Sequence, residues 1–189
     1  DTARAGVVAA HLDLLLRGLD QHHTLEDELV WPRLHSRAPE HVQPVVDLME
    51  EQHVRLERLL QQLVDALPGW VRTASVDERD HLAVVIDQLN DALVEHLDDE
   101  ERLVLPIAVE HVTTEEWQAI GRRAETENKG RERGLVFGIL QYEGDPEVIA
   151  EMLRPAPLPV RLLVPVLARR AFRRHSLAIH GTATPERAT

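Results

Sequence analysis

The chain has 189 residues, 43 % of them hydrophobic, and no cysteine. That supply fills one good core with an appended subdomain, and it excludes disulfides, cysteine-based zinc sites, iron–sulfur clusters and thiol catalysis. A formal charge of -12 argues against nucleic acid as a partner, because phosphate neutralisation needs a surplus of Lys and Arg. No uncharged apolar run approaches the roughly 18 residues of a transmembrane segment, and no signal peptide is evident, so composition points to the cytoplasm.

Helical periodicity dominates, and no stretch alternates as a strand. The first helix is predicted to run to about Trp31, with Pro32 and the Ser36-Arg37-Ala38-Pro39 stretch as its end and a loop. A second helix carries Val42, Val46, Met49, His53, Leu56, Leu60, Leu63 and Leu67 on one stripe and is predicted to stop at Pro68-Gly69. Ser75 followed by Glu78 is a capping-box signature opening a third helix, which reaches about Leu105, where Pro106 kinks or ends it. Thr113 to Glu116 caps a helix continuing to about Glu127, and Asn128-Lys129-Gly130 is expected to interrupt it. A helical run to Tyr142, a short helix from Glu147 to Leu153, a proline-rich connector and a last helix from Val160 to Ile179 complete the chain. The expected domains are a bundle over 1–112, a helical extension over 113–181 and a disordered tail over 182–189.

Charge divides along the chain. Residues 155–189 hold six Arg and one acid, a net of +5, which leaves -17 on residues 1–154. An acidic bundle with a basic C-terminal helix is expected. That helix could meet an anionic membrane surface, and packing on acidic protein, in the bundle or in a partner subunit, is the preferred reading.

The most informative feature is a repeat. His22-x3-Glu26-x5-Pro32 recurs as His96-x3-Glu100-x5-Pro106, 74 positions on. Upstream, Val8, Leu12, Leu15 and Leu19 align with Leu82, Ile86, Leu89 and Leu93, and both series step by alternating fours and threes, the core-facing stripe of a bundled helix. A histidine and a carboxylate thus replace apolar residues on two equivalent stripes, and His53 does so on the helix between. Burying such groups without a partner costs several kcal/mol (an estimate of roughly 2–7). His and Glu four apart share one helix face, so a metal is the cheapest common partner. The N,O donor set with two carboxylates suits iron or manganese better than structural zinc. His23 and Asp27 repeat the spacing about 100° round the helix and are expected to support the site or face solvent.

The constellation His22/Glu26, His53, His96/Glu100 resembles the hemerythrin-like proteins of the HHE cation-binding branch, and the run from His22 to Pro32 is similar too. The similarity covers about residues 1–110, and the part beyond resembles actinobacterial members with a C-terminal helical extension. The resemblance implies an all-α antiparallel four-helix bundle holding two non-haem irons, possible with an oxo bridge and with Mn or Zn as lesser alternatives. It further implies His22, His53 and His96 as terminal ligands and Glu26 and Glu100 as bridges. In that pattern a further helix with its own histidine precedes the first H-x3-E. The first helix of the family is therefore expected to lie outside the chain as given. The fourth wall is then expected from an N-terminal segment, from a partner chain in a homodimer, or from the C-terminal helix with His175 as a stand-in ligand. His11, about 16 Å from His22 along the axis, is a poor substitute. The implied ligand is dioxygen, hydrogen peroxide or nitric oxide, with catalase-like or peroxidase-like activity as the enzymatic form and a redox-sensing module as the alternative.

Overall fold

The computed structural model describes residues 1–127 and 131–187, with side chains over 1–124 and 132–187. The expected interruption at Asn128-Lys129-Gly130 lies outside the described residues. Among those residues the chain is all-α: α1 (Thr2–Leu29), α2 (Trp31–Arg37), a short 3-10 turn (Glu40–Val42), α3 (Gln43–Thr73), α4 (Val76–Asp99), a π-helical turn (Glu100–Val104), α5 (Leu105–His111), α6 (Thr114–Glu127), α7 (Arg131–Glu143), α8 (Pro146–Leu153) and α9 (Leu158–His180). It forms two compact units, Asp1–Ala124 and Glu125–Thr189.

The first unit is a helical bundle built on α3. All eight residues of its predicted stripe are buried, which makes α3 the helix shared by its neighbours α1 and α4. Ala9 and Leu16 of α1 meet Leu56 to Leu67 of α3 and Leu82 to Ala92 of α4 in one apolar cluster. Val30, Trp31 and Leu34 meet Val46, Met49 and Val104 in another. The start of α1 therefore lies against the end of α3, and the end of α3 against the start of α4, so successive long helices run antiparallel. His53 sits on α3 between Met49 of one cluster and Leu56 of the other. A polar layer is thus held between two apolar ones.

The prolines behave differently from one another. Pro32 and Pro106 each stand in the first turn of a renewed helix, where the missing N–H is not needed. The chain bends at Val30 and continues helically instead of entering a loop directly. Before Pro106 the ladder loosens to a π turn, in which the Leu105 N–H reaches the Glu100 carbonyl. The predicted stop at Pro68-Gly69 does not occur: α3 runs on to Thr73. An internal proline costs about 3 kcal/mol, and packing of Leu67, Trp70 and Val71 on the core offsets it. Gly69 helps, because a Cβ there would lie 3.2 Å from a Glu78 carboxylate oxygen at the start of α4. Ala74, in the left-handed region at φ 49°, ends the helix by donating to the Trp70 carbonyl.

The cap at Thr113 forms in full and the box at Ser75 by half, because the Ser75 N–H donates to the Thr73 hydroxyl and not to Glu78. The Ser75 hydroxyl accepts from the Glu78 N–H. Thr113 and Glu116 cap reciprocally, the Thr113 N–H donating to Glu116 and the Glu116 N–H to the Thr113 hydroxyl. Glu116 also takes a two-pronged hydrogen bond from Arg37, at 2.7 and 2.8 Å, and the Arg37 guanidinium holds its carboxyl far below the usual range. This ties α6 to α2, and Ile120 of α6 packs on the second apolar cluster.

The second unit is organised by α7 against α9. A Cβ on Gly138 would lie 2.5 Å from the Ala168 carbonyl oxygen, so glycine permits the close approach. Tyr142 stacks on Phe172 at 4.4 Å and donates to the Pro185 carbonyl. The Thr182 carbonyl accepts from Ser176. Tyr142 is thus a packing residue with a satisfied hydroxyl.

Candidate metal centre

Three imidazoles meet inside the first unit. His23 of α1, His53 of α3 and His96 of α4 are all buried, with ring centroids 4.3 Å (His23–His53), 4.8 Å (His53–His96) and 5.2 Å (His23–His96) apart. Their Nε2 atoms and Glu26 Oε2 are buried without a hydrogen-bond partner among the described residues. Beside them stands a second group, His22, Glu26 and Glu100. Within each group the donor atoms lie within 4.8 Å of one another. Glu26 of the second group also touches the first, with Oε1 3.4 Å from His22 Nε2 and Oε2 3.4 Å from His53 Nε2.

Two hydrogen bonds orient the rings. The Gln52 amide donates to Asp99 at 2.9 Å, so its oxygen faces His96 and accepts from Nδ1–H at 3.0 Å. Asp27 can only accept, and it takes Nδ1–H of His53 at 2.7 Å. In both rings the Nδ1 atom is occupied, which leaves Nε2 to face the centre, the arrangement metal-binding histidines use.

The electrostatics follow from crowding. Burial, then the neighbouring His53 and His96, lowers the His23 pKa to about 3. Burial and His53 lower His96 to about 4. Burial opposes charge on His53 as well, but its bonds to Glu26 and Asp27 prevail and raise its pKa. Burial, then the Glu26 carboxylate, raises Glu100 to about 7. Two imidazoles are therefore neutral donors near pH 7, and the Glu26 and Glu100 carboxyls crowd one another. A metal cation fits this donor set. It would satisfy the four orphaned atoms and relieve the repulsion.

The structure brings all five sequence-predicted residues into one neighbourhood, but unevenly. His96 is fully buried, whereas the side chain of His22, its partner in the repeat, is 46 % exposed. His23 takes the interior position instead. The sequence offers a signal for this. Ala5, Ala9, Leu12, Leu16, Leu19, His23, Glu26 and Val30 also step by alternating fours and threes, and this second stripe carries every buried residue of α1 except Leu25. Asp27, expected to support the site or face solvent, orients His53. Gln52 and Asp99 carry no sequence signal of their own. His175 lies on α9 in the second unit, its pKa lowered by burial and by His180.

The sequence model of the hemerythrin HHE cation binding domain matches residues 2–108, with a further match over 44–125. The chain belongs to the hemerythrin HHE family. No curated protein and no solved structure gives a significant match. Family membership and the His/Glu cluster together make the bundle a cation-binding domain, a hemerythrin-like fold with additional C-terminal helices. No helix among the described residues is long and apolar enough to cross a membrane.

Proposed function

We propose that this hemerythrin-like bundle holds two metal ions, both iron, and uses them on a small oxidant or diatomic ligand: dioxygen, hydrogen peroxide or nitric oxide. The observation that carries the reading is the set of three inward Nε2 atoms that make no hydrogen bond among the described residues, beside a second group whose Glu26 touches His53. His23, His53 and His96 would hold one ion, His22 and Glu100 the other, with Glu26 spanning both. When bound, such a pair supplies a redox-active centre whose histidine-rich donors disfavour the high-valent states of carboxylate-dominated sites.

The chain's own residues set access and orientation. Asp27 and Gln52 hold two rings in place. The apolar clusters on either side keep bulk water from the polar layer. A cleft of about 280 Å³ between α1 and α3 reaches His23 and His53, and Asp20, Asp27, Glu50 and Glu57 stand along it. Four carboxylates repel anions, so the cleft favours small neutral molecules over anionic substrates. We place this activity in the cytoplasm, on the acidic, cysteine-free composition.

Metal content per chain tests the reading. About two irons after anaerobic loading, followed by oxygen evolution from peroxide, supports a catalase-like role. Stoichiometric ligand binding without turnover selects the alternative, a redox-sensing module, which the exposed basic helix α9 favours. Protein that takes up no iron would refute both.

A further inference from the structure

Helix α9 divides along its axis into two unlike halves. From Ala168 onward it is anchored: Ala168, Phe172 and Ser176 are buried, with α7 approaching at Gly138 and Tyr142 stacked on Phe172. From Leu158 to Leu167 nothing is buried. Leu158, Leu162, Leu163, Val166 and Leu167 are each more than half exposed. Arg161 is the one charged residue of this half, and monomeric proteins rarely leave such an apolar surface without a use.

Directly behind this apolar half stand Arg169, Arg170, Arg173 and Arg174, all exposed. Among the described residues none of the four pairs with an acidic side chain of the second unit. The nearest preceding acid, Glu151, is bound to Arg154 at 3.1 Å, and the next acid after it is Glu186. In a chain with 33 acids, four arginines without an acidic partner among the described residues, behind an apolar end, are not a by-product of composition.

We infer that the exposed half of α9 with its arginine collar is a docking surface for an anionic lipid bilayer, entered by the apolar half and held at the phosphates by the arginines. The ten residues from Leu158 to Leu167 are too few to span, and an exposed apolar stretch of this length suits an interfacial segment. From Leu163 to the arginines is six to eleven residues, roughly 9–17 Å along a helix. That is comparable with the ~5–10 Å depth at which interfacial helices seat their apolar side chains, with the basic side chains reaching back to the headgroups. Arg161 stands within the apolar half, where its long stem lets the guanidinium reach back to the headgroups. The other four arginines follow the apolar residues in the order from acyl chains to phosphates. Family membership and the metal centre play no part in this inference.

The test uses the full chain with vesicles of phosphatidylcholine alone or mixed with phosphatidylglycerol. Co-sedimentation is expected only with the anionic vesicles, and it should weaken as salt rises. Each arginine replaced by glutamine should lower partitioning roughly fivefold, and Leu162→Ser with Leu163→Ser should abolish it while the circular dichroism stays helical. The chain has no cysteine, so Leu163→Cys accepts a single environment-sensitive dye without any destabilising polar residue. Its emission should shift to the blue on anionic vesicles, while a dye at Asp65→Cys on the bundle should not respond. No binding to anionic vesicles, equal binding to neutral ones, or an unmoved dye at position 163 overturns the inference. So does a concentration-dependent dimer that shields position 163 without lipid, which would make the occupant a second copy of the chain.

Discussion

The two H-x3-E motifs are alike in sequence and unlike in space. In α4 the motif histidine, His96, is buried at the centre, flanked by Leu89 and Ala92 on the same buried face. In α1 the equivalent His22 is half in solvent, Leu15 is 45 % exposed, and the buried line runs through Leu16 and His23. Helix α1 is turned by roughly 60°, less than the 100° step of one residue, relative to the face its repeat predicts. Glu26 belongs to both stripes and stays buried either way. A repeat therefore specifies which chemistry each helix can offer, whereas the packing partner selects the atom that is presented.

The comparison breaks most sharply at the histidines. His96→Ala and His23→Ala are each expected to lose the metal held by the three-imidazole group, while His22→Ala keeps that ion and weakens only the neighbouring one. Elemental analysis of the three variants decides it. Retention of full metal by His23→Ala would mean that α1 presents the face its repeat predicts.

The same contrast extends to stability. Leu63→Ala on α3 empties a fully buried position and should cost about 2–5 kcal/mol, whereas Leu15→Ala on α1 should stay within about 0.5 kcal/mol. Urea midpoints at unchanged slope measure both.

Orientation of the rings comes next in size. Asp27→Ala and Gln52→Leu remove the Nδ1 partners of His53 and His96, and each should lower metal affinity roughly 10–100-fold in competition with a chelator. The effect of Gln52 should fall on the α4 side of the site, and that of Asp27 on the α3 ligand that faces Glu26.

The smallest effect is protonic. Glu100, raised to about 7, and His53, also raised, still carry protons at about pH 6, whereas His23 and His96 do not. A ligand must shed its proton to bind. Metal uptake at about pH 6 should therefore release protons from Glu100 and His53, and affinity should rise with pH until both are deprotonated. Calorimetry in buffers of different ionisation enthalpy reads the release, and Glu100→Gln removes one share of it.

Much of this protein is legible in one dimension because its signals are local. The α3 stripe is complete because α3 is packed from both sides, so its burial pattern has one solution. The caps at Ser75 and Thr113 involve partners three residues apart, and their geometry is a property of the segment alone. Pro68 shows the limit: its local preference is to end α3, and Trp70 and Val71 carry the helix past it through contacts distant in the chain. Gln52 shows another limit. Its role depends on His96, 44 residues away, and nothing near it in the sequence marks it.

The choice between His22 and His23 is where the two kinds of information part. Sequence alone determined an all-helical chain, the interior line of α3, and a stock of histidines and carboxylates at matching heights on three helices. In α4 the alternative stripe passes through Arg79 and Asn90, so the buried face holds to Leu82, Leu89 and His96 of the predicted one. Val85 and Ala92 beside it are buried more deeply than Ile86 and Leu93. In α1 both stripes are apolar, and the sequence permits either. Tertiary packing chose the one with Ala5 and Ala9, whose small side chains face the apolar end of the bundle where Leu16 joins Leu56, Leu60 and Leu63. That choice rotates His23 inward, and periodicity could not make it, because the energy that separates the two faces lies in the partner helix.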